Sequence, residues 1–386
     1  MPKFAHISDV HLGGWKQEQM QELNFQSFRK AMEICIQRKV NFIIIAGDLF
    51  DSAYPSIEIL KETFGEFKRL KEARIPCFII AGSHDYSVSG KTFLDVLEKA
   101  GFCKNVANFE IHDDEIIILN PVIHEMVAIY GYPGKKSGLE VPDLRKVKLN
   151  EAPGMYKILM LHTTVDKAKG TLPIDAIEVE ALPSVDYYAL GHLHIDFQYE
   201  NLVYPGPLFP NNFQELEDLE HGSFYIIDTE DGSREKIEIK IKDVVSFEIE
   251  IKNALTATEK IIAEIEKKDV EDKVVLLRVR GELEKGQNSD IKFVQIEEIV
   301  KGKGAYFMLK NTHDLKTRET ELDIEIQDTE NVEEETIELY SKEHPSDFNK
   351  LIPQLINSLA IEKQEGETND NFSRRLNEEA KKVLGF

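Results

Sequence analysis

The chain has 386 residues, 42% of them apolar, and 70 acidic side chains against 47 Lys and Arg give a net charge of −23. That length and apolar content can fill two or three domain cores, while the acidic balance excludes nonspecific polyanion binding by the whole surface. No apolar run nears the roughly 18 residues of a membrane span, no signal peptide precedes the first strand, and Cys35, Cys77 and Cys103 form no even disulfide framework, so a soluble cytoplasmic protein with reduced, buried thiols is expected.

An apolar run from Phe4 to Ile7 leads at once into Asp9-Val-His11. The helical face Phe25, Phe28, Met32, Cys35 and Ile36 precedes a second run, Phe42 to Ala46, that ends on Gly47-Asp48. Amphipathic segments Ile57 to Leu70 and Thr92 to Lys99 flank a third run, Cys77 to Ala81, closed by Gly82-Ser-His-Asp85. This alternation predicts an α/β layered fold. Short β-like runs from Phe102 to Gly131 predict that the sheet becomes mixed or that a second sheet packs on it. Two further runs, Ile158 to Leu161 and Tyr187 to Leu190, end on His162 and on Gly191-His-Leu-His194.

After Ile227 the pattern changes to β-like residues Ile237, Ile239 and Ile241, then a strand, helix, strand, helix, strand succession from Phe247 to Leu309 with no metal-ligand cluster. A small separate α+β domain is predicted there. From Glu321 to Glu338 nine acidic residues and no basic one suggest a solvated linker. Beyond it, Phe348, Leu351, Ile352, Leu355, Ile356 and Leu359 make one apolar stripe and Phe372, Leu376, Ala380 and Val383 a second, with Pro353 in the first turn or kinking the helix. So short a segment cannot bury such faces alone and needs a partner surface, or its own catalytic domain, to cover them. The divisions drawn are 1–235, 236–315, 316–345 and 346–386.

The five apolar runs carry the chemistry. A buried strand closed by a polar residue delivers that side chain to the carboxyl edge of an α/β sheet, where such folds place their sites. One Asp-x-His beside a strand would read as a satisfied core pair; five ligand-bearing ends in order point to a site. The donors are oxygen and imidazole without thiolate, which suits Mn, Fe, Zn or another borderline divalent ion. They are too many for one ion, so a two-metal site with a bridging carboxylate is the economical reading. At this net charge, recognition of an anionic ligand would need a local basic patch. Lys135, Lys136, Arg145, Lys146 and Lys148 form one candidate, the alternative being a solvated loop.

The segments Phe4-Ala-His-Ile-Ser-Asp-Val-His-Leu-Gly13, Ile44-Ile-Ala-Gly-Asp-Leu-Phe-Asp51, Gly82-Ser-His-Asp85, Tyr188-Ala-Leu-Gly-His-Leu-His194 and Tyr204-Pro-Gly206 resemble the motif series of calcineurin-like metallophosphoesterases. Within that superfamily they resemble the SbcD-type double-strand-break repair nucleases. The resemblance implies a four-layer α-β-β-α sandwich with a small α+β capping domain and a C-terminal helical pair. It implies two divalent ions, taken as manganese: Asp9, His11, Asp48 and His194 hold one, and Asp48, His162, His192 and Ser83 face the other. The ions polarise phosphoryl oxygens and activate a water for attack at phosphorus. His84 is then the proton donor to the phosphate or leaving oxygen, with Asp85 orienting its ring.

The same resemblance implies exonuclease and endonuclease action on DNA ends, duplex and single strand, in a nucleoid-associated repair complex. Its partner would be an SMC-like coiled-coil ATPase of the SbcC type, bound through Leu351, Leu355, Leu359, Phe372 and Leu376. A two-fold homodimer is expected through Leu60, Phe64, Phe93, Leu94 and Leu97 unless these residues serve the core. Two positions depart from the family pattern. Ser83 stands where an Asn usually supplies its amide oxygen, which leaves open a weakly active DNA-end-binding scaffold of the same fold; a small-substrate phosphodiesterase is a further alternative. Asp51 stands where some members carry a His, so that role is not transferred.

Overall fold

Each of the five apolar runs becomes a strand because apolar residues fill both of its faces, and each strand gives way to a turn at a glycine or polar residue that is itself buried. A computed structural model describes residues 2–86, 90–112, 115–135, 139–171, 174–317, 341, 346–359, 361 and 369–384. They fall in two units, 1–316 and 317–386.

In the first unit one six-stranded sheet runs in the order Arg234–Ile239, Gly222–Asp228, Lys3–Ile7, Phe42–Ala46, Cys77–Ile80, Lys104–Asn105. Lys3–Ile7, Phe42–Ala46 and Cys77–Ile80 are parallel neighbours. A second six-stranded sheet runs Asp196–Tyr199, Leu202–Pro205, Tyr187–Gly191, Tyr156–His162, Val127–Tyr132, Val122–His124, its centre again parallel. The two sheets face each other across Phe4, Phe42, Ile44, Ile80, Ile129, Ile158, Met160 and Ala189, all fully buried. Each large apolar side chain so buried contributes about 1.5–3 kcal/mol before entropy is charged against it.

Alternation along the strands sends Ala5, Ile7, Ile43 and Ile45 to the opposite face, where Phe28 and Met32 of the helix Glu18–Arg38, Phe67 of Ile57–Glu72 and Leu94 of Leu94–Lys99 cover them. The outer layer on the second sheet is lighter. It consists of the four-residue helix Val141–Leu144, a 3-10 turn at Val179–Ala181 and a small sheet of Phe109–Ile111, Ile117–Leu119 and Val147–Leu149. Cys35 and Cys77 are buried and Cys103 is half-buried, all three as free thiols.

Two expectations need correction. Leu94 and Leu97 are 0% exposed in the core beneath the first sheet, so they have no surface to offer a dimer; Leu60, Phe64 and Phe93 are half-buried against the same core. The strand Arg234–Ile239 pairs with Gly222–Asp228, so the division drawn between 235 and 236 cuts an edge strand of the first sheet.

A third sheet, Val244–Glu250, Val274–Leu283 and Phe307–Asn311 with Leu315–Thr317 alongside, packs the helices Ala257–Ile265 and Phe293–Gly302 around Phe247, Ile261, Ile265, Leu277 and Ile296. Its other face lays Val274, Leu276 and Leu309 on Trp15, Met20, Leu23, Phe209 and Leu216.

In the second unit a 3-10 turn, Asp347–Leu351, precedes the helix Ile352–Leu359, which packs against Asn369–Leu384. Pro353 falls in the first helical turn, where its missing N–H costs nothing. Leu351, Leu355, Phe372 and Leu376 are half-buried, whereas Ile356 is 39% and Leu359 51% exposed. The acidic run from Glu321 to Glu338 lies outside the described residues. Among the described residues no helix is long and apolar enough to cross a membrane.

Candidate metal centre

The five strand ends lie along one edge of the two sheets, and sharp turns fold their polar residues inward. Asp9 (φ 51°), His11 (φ 46°), Asp48 (φ 51°) and His192 (φ 97°) all take left-handed backbone, a conformation that costs a non-glycine residue of order 1–3 kcal/mol and gathers at functional sites. The first two turns are laced together: the N–H groups of Val10 and His11 donate to the Asp48 carbonyl at 2.9 and 3.0 Å, and that of Leu12 to Leu49 at 3.0 Å. Asp85 fastens the third turn to them, its buried carboxylate accepting from the backbone N–H groups of Gly82 (2.9 Å), Phe50 (3.0 Å) and Leu49 (3.3 Å). Burial, helped by the Asp48 carboxylate, pushes its pKa up to about 6.

Three overlapping groups of ligand atoms result: Asp9, His11 and His194; His11, Asp48 and His84; Asp9, Asp48 and His162, the atoms of each within 4.8 Å of one another. The tautomers follow from the partners behind each ring. His194 Nδ1 lies 2.9 Å from Glu215 Oε1, and His11 Nδ1 lies 3.2 Å from Asp51 Oδ1, a charge contact without aligned hydrogen-bond geometry. A carboxylate beside each Nδ1 favours a proton on that nitrogen, through a hydrogen bond at His194 and through charge alone at His11, and the two Nε2 atoms face each other at 3.0 Å. Asp48 Oδ2 is 3.6 Å from His11 Nε2 and Asp9 Oδ1 is 3.8 Å from His194 Nε2. Two imidazole nitrogens and two carboxylates converging in this space make a donor set that a cation would neutralise.

At the second group His162 Nδ1 donates to the Ala46 carbonyl at 2.9 Å. Its buried Nε2 sits 3.1 Å from Asp48 Oδ2 with no hydrogen-bond partner of good geometry. In the metal-free ring burial opposes charge on His162, but the Asp48 carboxylate outweighs it and lifts the imidazole to about 10. Burial alone would likewise raise Asp48, yet His162 and then His11 hold it far below the ordinary carboxylate range. The donors therefore fit divalent ions with mixed nitrogen and oxygen preference. Uptake at His162 Nε2 must release the proton held there.

Of the residues read from the sequence, Asp9, His11, Asp48, His84, His162 and His194 come together in these groups. His192 stands beside them, its ring edge-on to His162 with centroids 5.1 Å apart, while its backbone N–H donates to Asp9 Oδ1 at 2.9 Å. Ser83 Oγ reaches only to Asp48 Oδ2, at 3.4 Å.

Asp85 does not orient His84, because its oxygens are taken by backbone donors; His84 Nδ1 instead lies 2.9 Å from the Asp51 carbonyl and 3.8 Å from the Asp51 carboxylate. Sequence reasoning missed Glu215 and Asn211, whose Nδ2 donates to Asp51 Oδ1 at 3.3 Å, and left Asp51 without a role. The expected basic patch is largely neutralised: Lys135 pairs with Asp143, Lys146 with Glu115 and Arg145 with Glu178, and Lys136 lies outside the described residues.

Two facing mixed sheets with a ring of Asp and His at their carboxyl edge define a metal-dependent phosphoesterase. A model of the calcineurin-like phosphoesterase family matches residues 2–196, just over half of the chain, and the chain belongs to that family. It is similar to the DNA double-strand break repair protein Mre11 of Archaeoglobus fulgidus, 25% identical over 284 residues that cover 64% of this chain and 61% of the relative. The protein of the same name from Methanosarcina acetivorans is 26% identical over 333 residues, 82% of this chain and 51% of the relative. The uncharacterized metallophosphoesterase YhaO of Bacillus subtilis is 28% identical over 244 residues, 59% and 58% of the two chains. The chain thus spans between about half and three-fifths of the length of these curated relatives.

Proposed function

We propose that this chain is a manganese-dependent DNA nuclease, cutting phosphodiester bonds at ends and within strands, in a double-strand-break repair complex with an SMC-like coiled-coil ATPase. The observation that carries the reading is the pair of ligand groups Asp9, His11, His194 and Asp9, Asp48, His162, which share Asp9, with Asp48 also within reach of His11. When bound, two divalent ions would polarise the phosphoryl oxygens and activate a water. The protein's own residues do the rest. The turns laced through Asp48 and Asp85 fix the ligands before any ion arrives, and to His84, its side chain 48% exposed at the rim, we assign the proton given to the leaving oxygen. Relatives bearing a DNA repair name support DNA as the substrate, and the third sheet with its two helices is taken as the cap over it. We further propose a two-fold homodimer, to which only the half-buried Leu60, Phe64 and Phe93 of the expected set have surface to offer.

Purified protein incubated with Mn²⁺, Mg²⁺ or chelator, on linear duplex DNA and on a simple phosphodiester in parallel, tests this. Manganese-dependent degradation of DNA is expected. Cleavage of the simple diester alone would reassign the chain to small substrates. Binding of DNA ends without cleavage, reversed by Ser83→Asn, would establish the scaffold reading, which the short reach of Ser83 favours.

The role of His84 is separable. His84→Gln is expected to retain metal content and DNA binding while cleavage falls about 10²–10⁴-fold, the range for a lost general acid. Loss of metal in that variant would make His84 a ligand through its group with His11 and Asp48. The partner surface is separable too. Ile356 and Leu359 leave apolar area in water that a coiled coil would cover. Truncation after Tyr340 is expected to keep metal binding and folding of the first unit while abolishing co-purification with the ATPase; an unaltered complex would place the contact elsewhere.

A further inference from the structure

The ligands on the two sides of Asp48 have unequal support. Behind His11 and His194 stand the carboxylates of Asp51 and Glu215, and Asn211 joins them: its backbone N–H donates to Glu215 Oε2 at 2.7 Å and its Nδ2 to Asp51 Oδ1 at 3.3 Å. Asn212 adds a donor to Glu215 Oε1 at 2.6 Å and caps the helix Phe213–Leu219 that carries it, accepting from the Glu215 N–H at 2.9 Å. Asn211 is itself wedged against the chain, since a Cβ at Gly14 would lie 2.2 Å from its Oδ1. Behind His162 the hydrogen-bond partner is the neutral carbonyl of Ala46 at 2.9 Å, with the Asp9 carboxylate, itself among the ligands, farther off at 4.0 Å, and Ser83 offers a hydroxyl on a short arm, 3.4 Å from Asp48.

A carboxylate behind a ligating imidazole fixes its tautomer and strengthens it as a donor, and loss of such a partner typically lowers metal affinity about 10–100-fold. We propose that Asp51, Asn211 and Glu215 form a positioning layer serving only the Asp9, His11, His194 side. That side then fills first and tightly, whereas the Asp48, His162 side fills only as the free ion rises, so that the divalent-ion level gates the enzyme. The inference rests on the two-metal reading above. It differs from that reading in assigning the two positions different affinities and naming the residues responsible.

The test uses manganese alone with the full chain, following free Mn²⁺ by electron paramagnetic resonance. Two binding steps separated by about 10–100-fold are expected. Asn211→Ala and Glu215→Gln should weaken the tight step about 10-fold or more and leave the weak one in place, while Ser83→Asn should tighten only the weak one. Melting curves in chelator separate loss of fold from loss of support, because a structural defect lowers the midpoint without metal. Two steps of equal affinity, or equal weakening of both by Asn211→Ala in a chain that melts like the wild type, would overturn the inference and spare the two-metal reading. Saturation at one ion per chain would overturn both.

Discussion

Asp48→Ala is expected to empty both metal positions at once. Its Oδ2 lies 3.6 Å from His11 Nε2 and 3.1 Å from His162 Nε2, so one carboxylate faces the ligands on either side, and its Oδ1 accepts the His84 N–H at 2.8 Å. Elemental analysis after gel filtration in manganese should fall from two ions per chain to well under one, and activity should drop beyond the roughly 100-fold that a lost supporting residue costs. Retention of two tightly held ions would end the shared-carboxylate assignment. The same variant reverses a proton equilibrium. With Asp48 present, His162 in the metal-free chain is raised to about 10 against the effect of its burial. With Asp48 removed, burial loses its main opponent, so the imidazole should titrate well below that value, with its resonances in a metal-free sample reporting the change. Asp48→Asn, which keeps size and hydrogen bonding, should give the same direction if charge is the cause.

The ligand ring was legible because each ligand follows a run buried on both faces, and parallel strands put all such ends on one edge of the sandwich. What failed to be legible was whatever depended on which distant segment folds back. Glu215 returns 21 positions after His194 on the short helix Phe213–Leu219; the local sequence Asn212-Phe-Gln-Glu215 announces a helix start but not that its carboxylate turns to an imidazole. Asp85 was paired with His84 on adjacency, whereas the turn aims its carboxylate into the backbone of residues 49 and 50. Helical periodicity likewise marked Leu94 and Leu97 as apolar without saying that their own sheet covers them. A count of lysines between 135 and 148 could not see Glu115, Asp143 and Glu178 brought against them.

Gly82→Ala should damage fold and site together. A Cβ there would lie 2.2 Å from Asp48 Oδ1 and 2.4 Å from the Asp48 backbone nitrogen, and a backbone atom cannot step aside as a flexible side chain can. The backbone of Gly82 is not left-handed, so space rather than conformation is the obstacle. To admit the methyl, the third turn must withdraw from the second, and that movement pulls on the Asp85 carboxylate that holds Gly82, Leu49 and Phe50 together. Overpacking of this kind costs about 1–3 kcal/mol, and each hydrogen bond surrendered adds about 0.5–1.5 kcal/mol. At about 2–4 °C per kcal/mol for a domain of 150–250 residues, the melting midpoint in chelator should drop by roughly 5–15 °C, and metal affinity should fall with it because Asp48 moves. Gly65→Ala provides the opposite sign: it lies in the helix Ile57–Glu72 with nothing within 4 Å of the new methyl, so relief of glycine's conformational cost should stabilise by about 0.5–1 kcal/mol. If both variants melted alike, the close approach of the second and third turns would not be what pre-forms the site.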